Sequence, residues 1–278
     1  MSTPGLHNRL PICRTCGAQY DLAVFDPQHC KVCEDERQYV GWNGQEWTNL
    51  AELAETGYKS RLGAEFGEVT AIGVEPKLGI GQRALLIPGA GGNLLWDCVP
   101  YLDDDTVELV RSLGGLAAIA ISHPHYYTAM VDWSRAFGDV PIYLHEGDRE
   151  WVCRKGAIEF WSGRTLEVLP GRTLINTGVH FRGGTVLHWA DGAAGAGALC
   201  SGDIFQVVPD RRWVSFMYSY PNLIPEHPDV VRRSVELVEP YEFDVLYGAW
   251  WDMVVTQDAK NAVRRSAERY LRHVGADG

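Results

Sequence analysis

Ser122-His123-Pro124-His125-Tyr126-Tyr127-Thr128 closes a continuous apolar run, Leu116-Ala117-Ala118-Ile119-Ala120-Ile121. A short run of this kind, without polar alternation, predicts a strand buried on both faces. Where it ends, His123 and His125 stand one residue apart. In an extended segment such a pair points to the same side, so both imidazoles can reach one ion. Neutral imidazole is the commonest nitrogen ligand for a transition metal. The residues from Tyr126 to Phe137 read as a helix, with Met130, Trp133 and Phe137 on one stripe. The carboxyl end of a buried strand is where open α/β sheets place their chemistry. Two loop histidines are also ordinary polar residues, so the rest of the chain has to decide.

Bulk properties narrow the field. A chain of 278 residues with 46% apolar content has room for one large domain or two modest ones. A net charge of −11 argues against nucleic acid or an anionic membrane surface as main partner. No apolar run approaches the roughly 18 residues of a membrane span. Met1 to Leu10 lacks the apolar core of a secretory signal. Seven cysteines, an odd number, then point to a reducing compartment, and a cytoplasmic location is expected.

Four of the cysteines form a second constellation. Cys13-Arg14-Thr15-Cys16-Gly17 is followed by Cys30-Lys31-Val32-Cys33. Two Cys-x-x-Cys knuckles supply four thiolates, which suits a tetrahedral Zn²⁺ closed to solvent. Asp26-Pro27 falls at the bend between them. A redox dithiol usually needs one such pair at a helix N-terminus rather than two knuckles in an interrupted segment. So short a segment buries little, and zinc supplies folding energy directly. The expected organisation is a zinc-ribbon-like segment over 1–40, a linker with a helix over 41–64, and a main domain over 65–278.

Along the chain, Gln45 to Glu55 reads as a helix. Short strands follow at Glu68–Val74, Arg83–Pro88 and Asn93–Asp97. Gly89-Ala90-Gly91-Gly92 lacks the Gly-Lys-Ser/Thr ending of a phosphate loop and reads as a hairpin turn, so no organic-cofactor site is expected. Asp103-Asp104-Asp105 caps a helix that Gly114-Gly115 ends. Strands are expected at Pro141–Leu144, Thr165–Leu169, Thr173–Asn176, Thr185–Trp189, Ala198–Ser201 and Phe243–Tyr247. Helices are expected at Pro228–Val238, stopped by Pro240, and at Val255–Arg272. Pattern alone gives α/β or α+β.

The ordered set His123-x-His125, Gly178-Val179-His180 with Gly183-Gly184-Thr185-Val186-Leu187, and Leu199-Cys200-Ser201-Gly202-Asp203 resembles the metallo-β-lactamase superfamily. The resemblance covers about residues 65 to 275. It implies an α+β fold, an αββα sandwich, here with a small zinc-ribbon-like segment before it. It also implies a metal site of His123, His125, His180 and Asp203. The family's loop reads His-x-His-x-Asp-His, and Tyr127 and Thr128 stand at its last two positions. Trp250 stands where a C-terminal His is expected. Neutral Tyr and Thr are poor zinc ligands and Trp is none, so one catalytic ion is expected, not two.

Three imidazoles plus water is how catalytic zinc is held. The expected activity is metal-dependent hydrolysis of a small ester, thioester, lactone or phosphoester. Asp203 is the candidate base and Tyr127 a candidate proton donor. Two rivals stand beside it. Histidines with one carboxylate also suit Fe(II), and persulfide dioxygenases of this superfamily resemble that case. The chain could also be a scaffold with a weakened site. The partner expected is a small-molecule substrate, with a homo-oligomer left open. His145 is expected to line the site or to be structural, and His188 to be packed. Cys200 is expected to act as a small apolar residue, and Trp213, Phe216, Tyr218 and Tyr220 to wall a pocket or serve the core.

Overall fold

The computed structural model describes residues 9–89 and 91–276. Met1 to Asn8 of the four-cysteine segment, Ala90 of the glycine turn, and Asp277-Gly278 lie outside the described residues.

Alternation of side chains builds the first layer. Seven strands pair in chain order: Lys59–Ala64, Thr70–Glu75, Ala84–Ile87, Asn93–Trp96, Leu116–Ala120, Ile142–His145 and Ile158–Trp161. The first three pairings are antiparallel and the last three parallel. Because successive residues face opposite sides of a strand, Ile72, Leu86, Leu95 and Ile119 join an outer core with Val110, Met130 and Trp133 of two helices, Asp104–Ser112 and Met130–Ala136. Their neighbours Ala71, Leu85, Leu94 and Ala118 face inward.

A second sheet runs Thr165–Leu169, Arg172–Asn176, Thr185–Trp189, Ala198–Gly202, Val245–Gly248 and Val254–Val255. Its Leu174, Leu187, Ala198, Cys200 and Val245 meet the inward face of the first sheet. Its other face is covered by helices Pro228–Val238 and Ala259–His273, through Val231, Val238, Ala262 and Val263. Helix, sheet, sheet and helix therefore stack as an αββα sandwich. No helix among the described residues is long and apolar enough to cross a membrane.

Four local readings are corrected. The stretch 41–64 is not plain linker: Trp47–Thr48 pairs with Ile12–Cys13, and Lys59–Ala64 is the edge of the first sheet. The helix expected from Gln45 starts at Leu50, where the Asn49 side chain accepts the Glu52 N–H at 3.0 Å. The helix expected from Tyr126 starts at Met130, because Thr128 takes a φ of +23° and breaks the preceding turn. The last helix starts at Ala259, because Val254–Val255 pairs with the strand at Val245–Gly248.

Candidate metal centre

His123 and His125 follow the strand Leu116–Ala120, on a short 3₁₀ turn that Pro124 opens. The Asp97 side chain holds the turn, its Oδ1 accepting the Ser122 N–H at 2.8 Å. The two sheets are tied at this point by Thr185 N–H donating to the Ser122 carbonyl at 2.9 Å. His180 sits in the loop Thr177–Gly184 between two strands of the second sheet, with a φ of +66°. Its N–H donates to Glu226 Oε2 at 2.7 Å. Gly184 has to be glycine, because a Cβ there would lie 2.0 Å from the Val179 carbonyl oxygen. Asp203 follows the strand Ala198–Gly202, and its carbonyl accepts the Tyr220 hydroxyl at 2.6 Å.

The three histidines meet, and Asp203 adjoins them at His123. His180 Nε2 is 3.2 Å from His125 Nδ1, and His123 Nε2 is 3.3 Å from Asp203 Oδ1. The ligand atoms of the three histidines all lie within 4.8 Å of one another. Their exposures are 1%, 3% and 2%, and that of Asp203 is 3%. His123 Nε2 and Asp203 Oδ1 are buried without any hydrogen-bond partner. A buried polar atom left unpaired is costly, and an ion between these atoms would satisfy them. His180 Nδ1 donates to the Tyr218 carbonyl at 2.8 Å, which leaves Nε2 bare for a ligand bond. His123 Nδ1 bonds Ser122 Oγ at 2.9 Å to the same effect.

Charge follows from burial. Burial holds His123 and His125 well below the usual imidazole range, with the His180 ring adding to it, and brings His180 down to about 4. All three are neutral at pH 7, the state that binds metal. Burial pushes Asp203 up to about 7, with the Asp97 carboxylate adding to it. The Phe181 ring lies 4.9 Å from His125, 4.9 Å from His180 and 5.5 Å from His123, and Tyr126 covers His123 at 4.3 Å.

The cysteines form the second centre. Cys13 and Cys33 Sγ are 3.5 Å apart, Cys16 and Cys30 Sγ 3.6 Å, and all four are buried. Zinc–sulfur bonds of 2.3 Å in a tetrahedron put the sulfurs about 3.8 Å apart, so the four thiols fit such an ion. Tyr20 donates its hydroxyl to Cys30 Sγ at 3.4 Å. Among the described residues these two clusters are the groups of three or more His, Cys, Asp or Glu whose ligand atoms come together.

Tyr127 is buried in the outer core with Met130 and Trp133, and its hydroxyl is held protonated by burial and then by Asp148. Thr128 is buried and Trp250 packs against the same core. His145 bonds the Gly163 carbonyl at 3.1 Å and His188 the Glu242 carbonyl at 2.9 Å, away from the cluster. Of the four aromatics, Tyr218 and Tyr220 reach His180, whereas Phe216 is core and Trp213 lies under Arg269. Sequence reasoning missed Asp97, Glu226 and Arg37. The Arg37 guanidinium donates to the His180 carbonyl at 3.2 Å, and its charge lowers all three histidines further.

No protein-family model matches the chain. YmaE, an uncharacterized protein of Bacillus subtilis strain 168, is 48% identical over 268 residues, covering 96% of this chain and 97% of that protein. The chain belongs to the YmaE family. Solved structures show its fold. The mono-zinc FIM-1 metallo-β-lactamase of Pseudomonas aeruginosa superposes with a TM-score of 0.56 at 12% identity, over 76% of this chain and 96% of that one. The metallo-β-lactamase of Hirschia baltica gives 0.55 at 14%, over 76% and 98%. A flavo di-iron protein mutant from Thermotoga maritima gives 0.54 at 13%, over 77% and 62%. The YmaE-family chain thus has the metallo-β-lactamase fold, carries a four-cysteine cluster, and places its histidine cluster at the end of the sandwich where loops from both sheets meet.

Proposed function

We propose that this chain is a metal-dependent hydrolase acting on a small ester, thioester, lactone or phosphoester. His123, His125 and His180 would hold one catalytic zinc, and Cys13, Cys16, Cys30 and Cys33 one structural zinc. The observation that supports it is the convergence of three neutral, buried imidazoles beside an unpaired carboxylate oxygen. A divalent ion held there would supply Lewis acidity toward a carbonyl or phosphoryl oxygen and a nucleophile at neutral pH. The chain's own residues do the rest. The Tyr218 carbonyl and Ser122 Oγ fix the ring faces of His180 and His123. Asp203 Oδ1, 3.3 Å from His123 Nε2 and without a hydrogen-bond partner, is placed to accept a proton or to serve as a fourth ligand. Tyr127 stays a neutral phenol and is not a ligand.

Metal content and turnover test this together. Full-length protein should carry one metal equivalent beyond the ribbon zinc, and His180→Ala should lose it along with kcat/KM on whichever ester, thioester, lactone or phosphodiester is turned over. An unchanged kcat/KM in His180→Ala refutes the proposal. Iron in the site with oxygen uptake in place of hydrolysis would replace it by the iron oxygenase reading. Bound metal without turnover of either kind would leave a scaffold.

A further inference from the structure

We propose that Arg37 is a positioning residue: through it the four-cysteine segment holds the metal-ligating loop, so that metal affinity at the histidines depends on zinc at the cysteines. This rests on the metal reading of both clusters.

Arg37 lies four residues after Cys33. Its guanidinium is oriented by a two-point bond to Asp35, Nε donating to Oδ1 at 2.6 Å and Nη2 to Oδ2 at 3.0 Å. In that pose Nη1 donates to the His180 carbonyl at 3.2 Å. The guanidinium carbon sits 3.9 Å from the centre of the Phe181 ring, the ring that packs on all three imidazoles. His180 has a φ of +66°, a conformation that a non-glycine residue keeps only when its surroundings fix it. One cation therefore restrains both the backbone of a ligand and the ring behind the ligand set.

The same arm restrains the other side of His180. Ser219 Oγ donates to the Arg37 carbonyl at 3.2 Å. Asn222 Nδ2 donates to the carbonyls of Glu36 at 2.9 Å and Gln38 at 3.1 Å. The Tyr218 hydroxyl donates to the Glu36 carboxylate. Tyr218 in turn supplies the carbonyl that orients the His180 ring. At its other end the arm is rooted in the cysteine cluster, where the Glu34 N–H donates to the Cys30 carbonyl at 3.0 Å. That cluster's buried core is small, built of the cysteines with Ala18, Tyr20 and Val32 and flanked by the half-buried Phe25, Trp47, Trp151 and Cys153, so its fold leans on the metal. Loss of the ribbon zinc frees the arm, and with it both restraints on His180.

The test uses full-length protein with its ribbon zinc loaded and Co²⁺ titrated into the histidine site, read by the visible ligand-field bands. Arg37→Ala should keep the ribbon zinc and bind Co²⁺ about 10- to 100-fold more weakly, the range for losing an outer partner of a metal ligand, with shifted bands. Arg37→Lys keeps the charge but not the fork and should fall between. Cys33→Ser, which loses the ribbon zinc, should weaken Co²⁺ binding at least as much as Arg37→Ala. Asp21→Ala removes a ribbon contact remote from His180, the bond from Lys155 N–H at 2.9 Å, and should bind Co²⁺ like the wild type. Arg37→Ala matching the wild type in affinity and bands overturns the proposal. So does Asp21→Ala losing affinity to the same extent, which would make the effect one of docking in general. Wild type that takes up no Co²⁺ at the histidines overturns the metal reading itself, and the proposal with it.

Discussion

Replacing Gly202 by alanine should damage the metal centre without touching a ligand. Gly202 has a φ of +54°, and a Cβ there would lie 2.9 Å from Ser122 Oγ, 3.0 Å from Asp97 Oδ2 and 3.2 Å from Tyr126 Cε2. The left-handed backbone costs an L residue about 1–2 kcal/mol. Overpacking a filled core costs about 1–3 kcal/mol more. The expected loss is about 2–5 kcal/mol, or a Tm lower by roughly 4–20 °C in a domain of this size. The groups displaced are those that hold the metal strand: Asp97 binds the Ser122 N–H, and Ser122 Oγ binds His123. Metal affinity should therefore fall as well. Gly138→Ala is the control, since Gly138 has a φ of +89° with nothing within 4 Å of a Cβ. It should show the backbone cost of about 1–2 kcal/mol alone and normal metal content. Calorimetry and metal analysis on both variants decide the matter. If Gly202→Ala melts with Gly138→Ala and keeps its metal, the end of the second sheet does not press on the metal strand as described.

Other outcomes follow from other contacts. Cys30→Ser should lose one zinc equivalent and destabilise the first forty or so residues, measured by metal analysis and proteolysis; full zinc content would end the ribbon reading. Arg83 Nε donates to Glu65 Oε1 at 2.8 Å, with both side chains buried. Arg83→Met should therefore cost about 3–5 kcal/mol, and adding Glu65→Leu should recover most of it; additive losses in denaturant titrations would show that the two do not pair. Burial pushes Asp148 up to about 7, against the opposing Gly183 N–H at 2.7 Å and the Arg37 charge. The folded state then binds more protons than the unfolded one from about pH 4 to 7. Its stabilising share, complete below the unfolded pKa, is lost as pH rises through the folded one, and Asp148→Asn should lack that slope in urea midpoints.

What was legible in the sequence was local or periodic. The apolar run before His123 and the alternation of inward and outward residues come from strand geometry, which neighbours in sequence report. The four cysteines are legible because each knuckle spans four residues. His180 and Asp203 carry no such local mark, and only the ordered resemblance picked them out. Arg37 and Glu226 had no signal at all. Arg37 meets His180 across 143 positions and Glu226 across 46, and no composition or spacing reports a hydrogen bond to a backbone carbonyl or N–H. The false starts of the helices at Gln45, Tyr126 and Val255 share one cause. In each, tertiary pairing or a positive φ overrode an apolar stripe that was really present.

The positions where this chain departs from the metallo-β-lactamase loop pattern it resembles are packed as well as chemically altered. Tyr127 is seated in the outer core with Met130, Val131 and Trp133, and Trp250 packs against that core. Thr128 faces the four-cysteine segment: a Cβ on Gly17 would lie 3.2 Å from Thr128 Cγ2 and 3.1 Å from Pro100 Cβ. Restoring an aspartate at 127 would put a carboxylate into an apolar cluster, at a cost of several kcal/mol unless it found a partner. A histidine at 128 would press its ring against the segment that carries Cys13 and Cys16. Tyr127 and Trp250 serve the core here, and Thr128 packs against the four-cysteine segment. Residue identity and packing therefore point the same way, and the four-cysteine segment that lies against Thr128 sends its own cation, Arg37, to the backbone of His180.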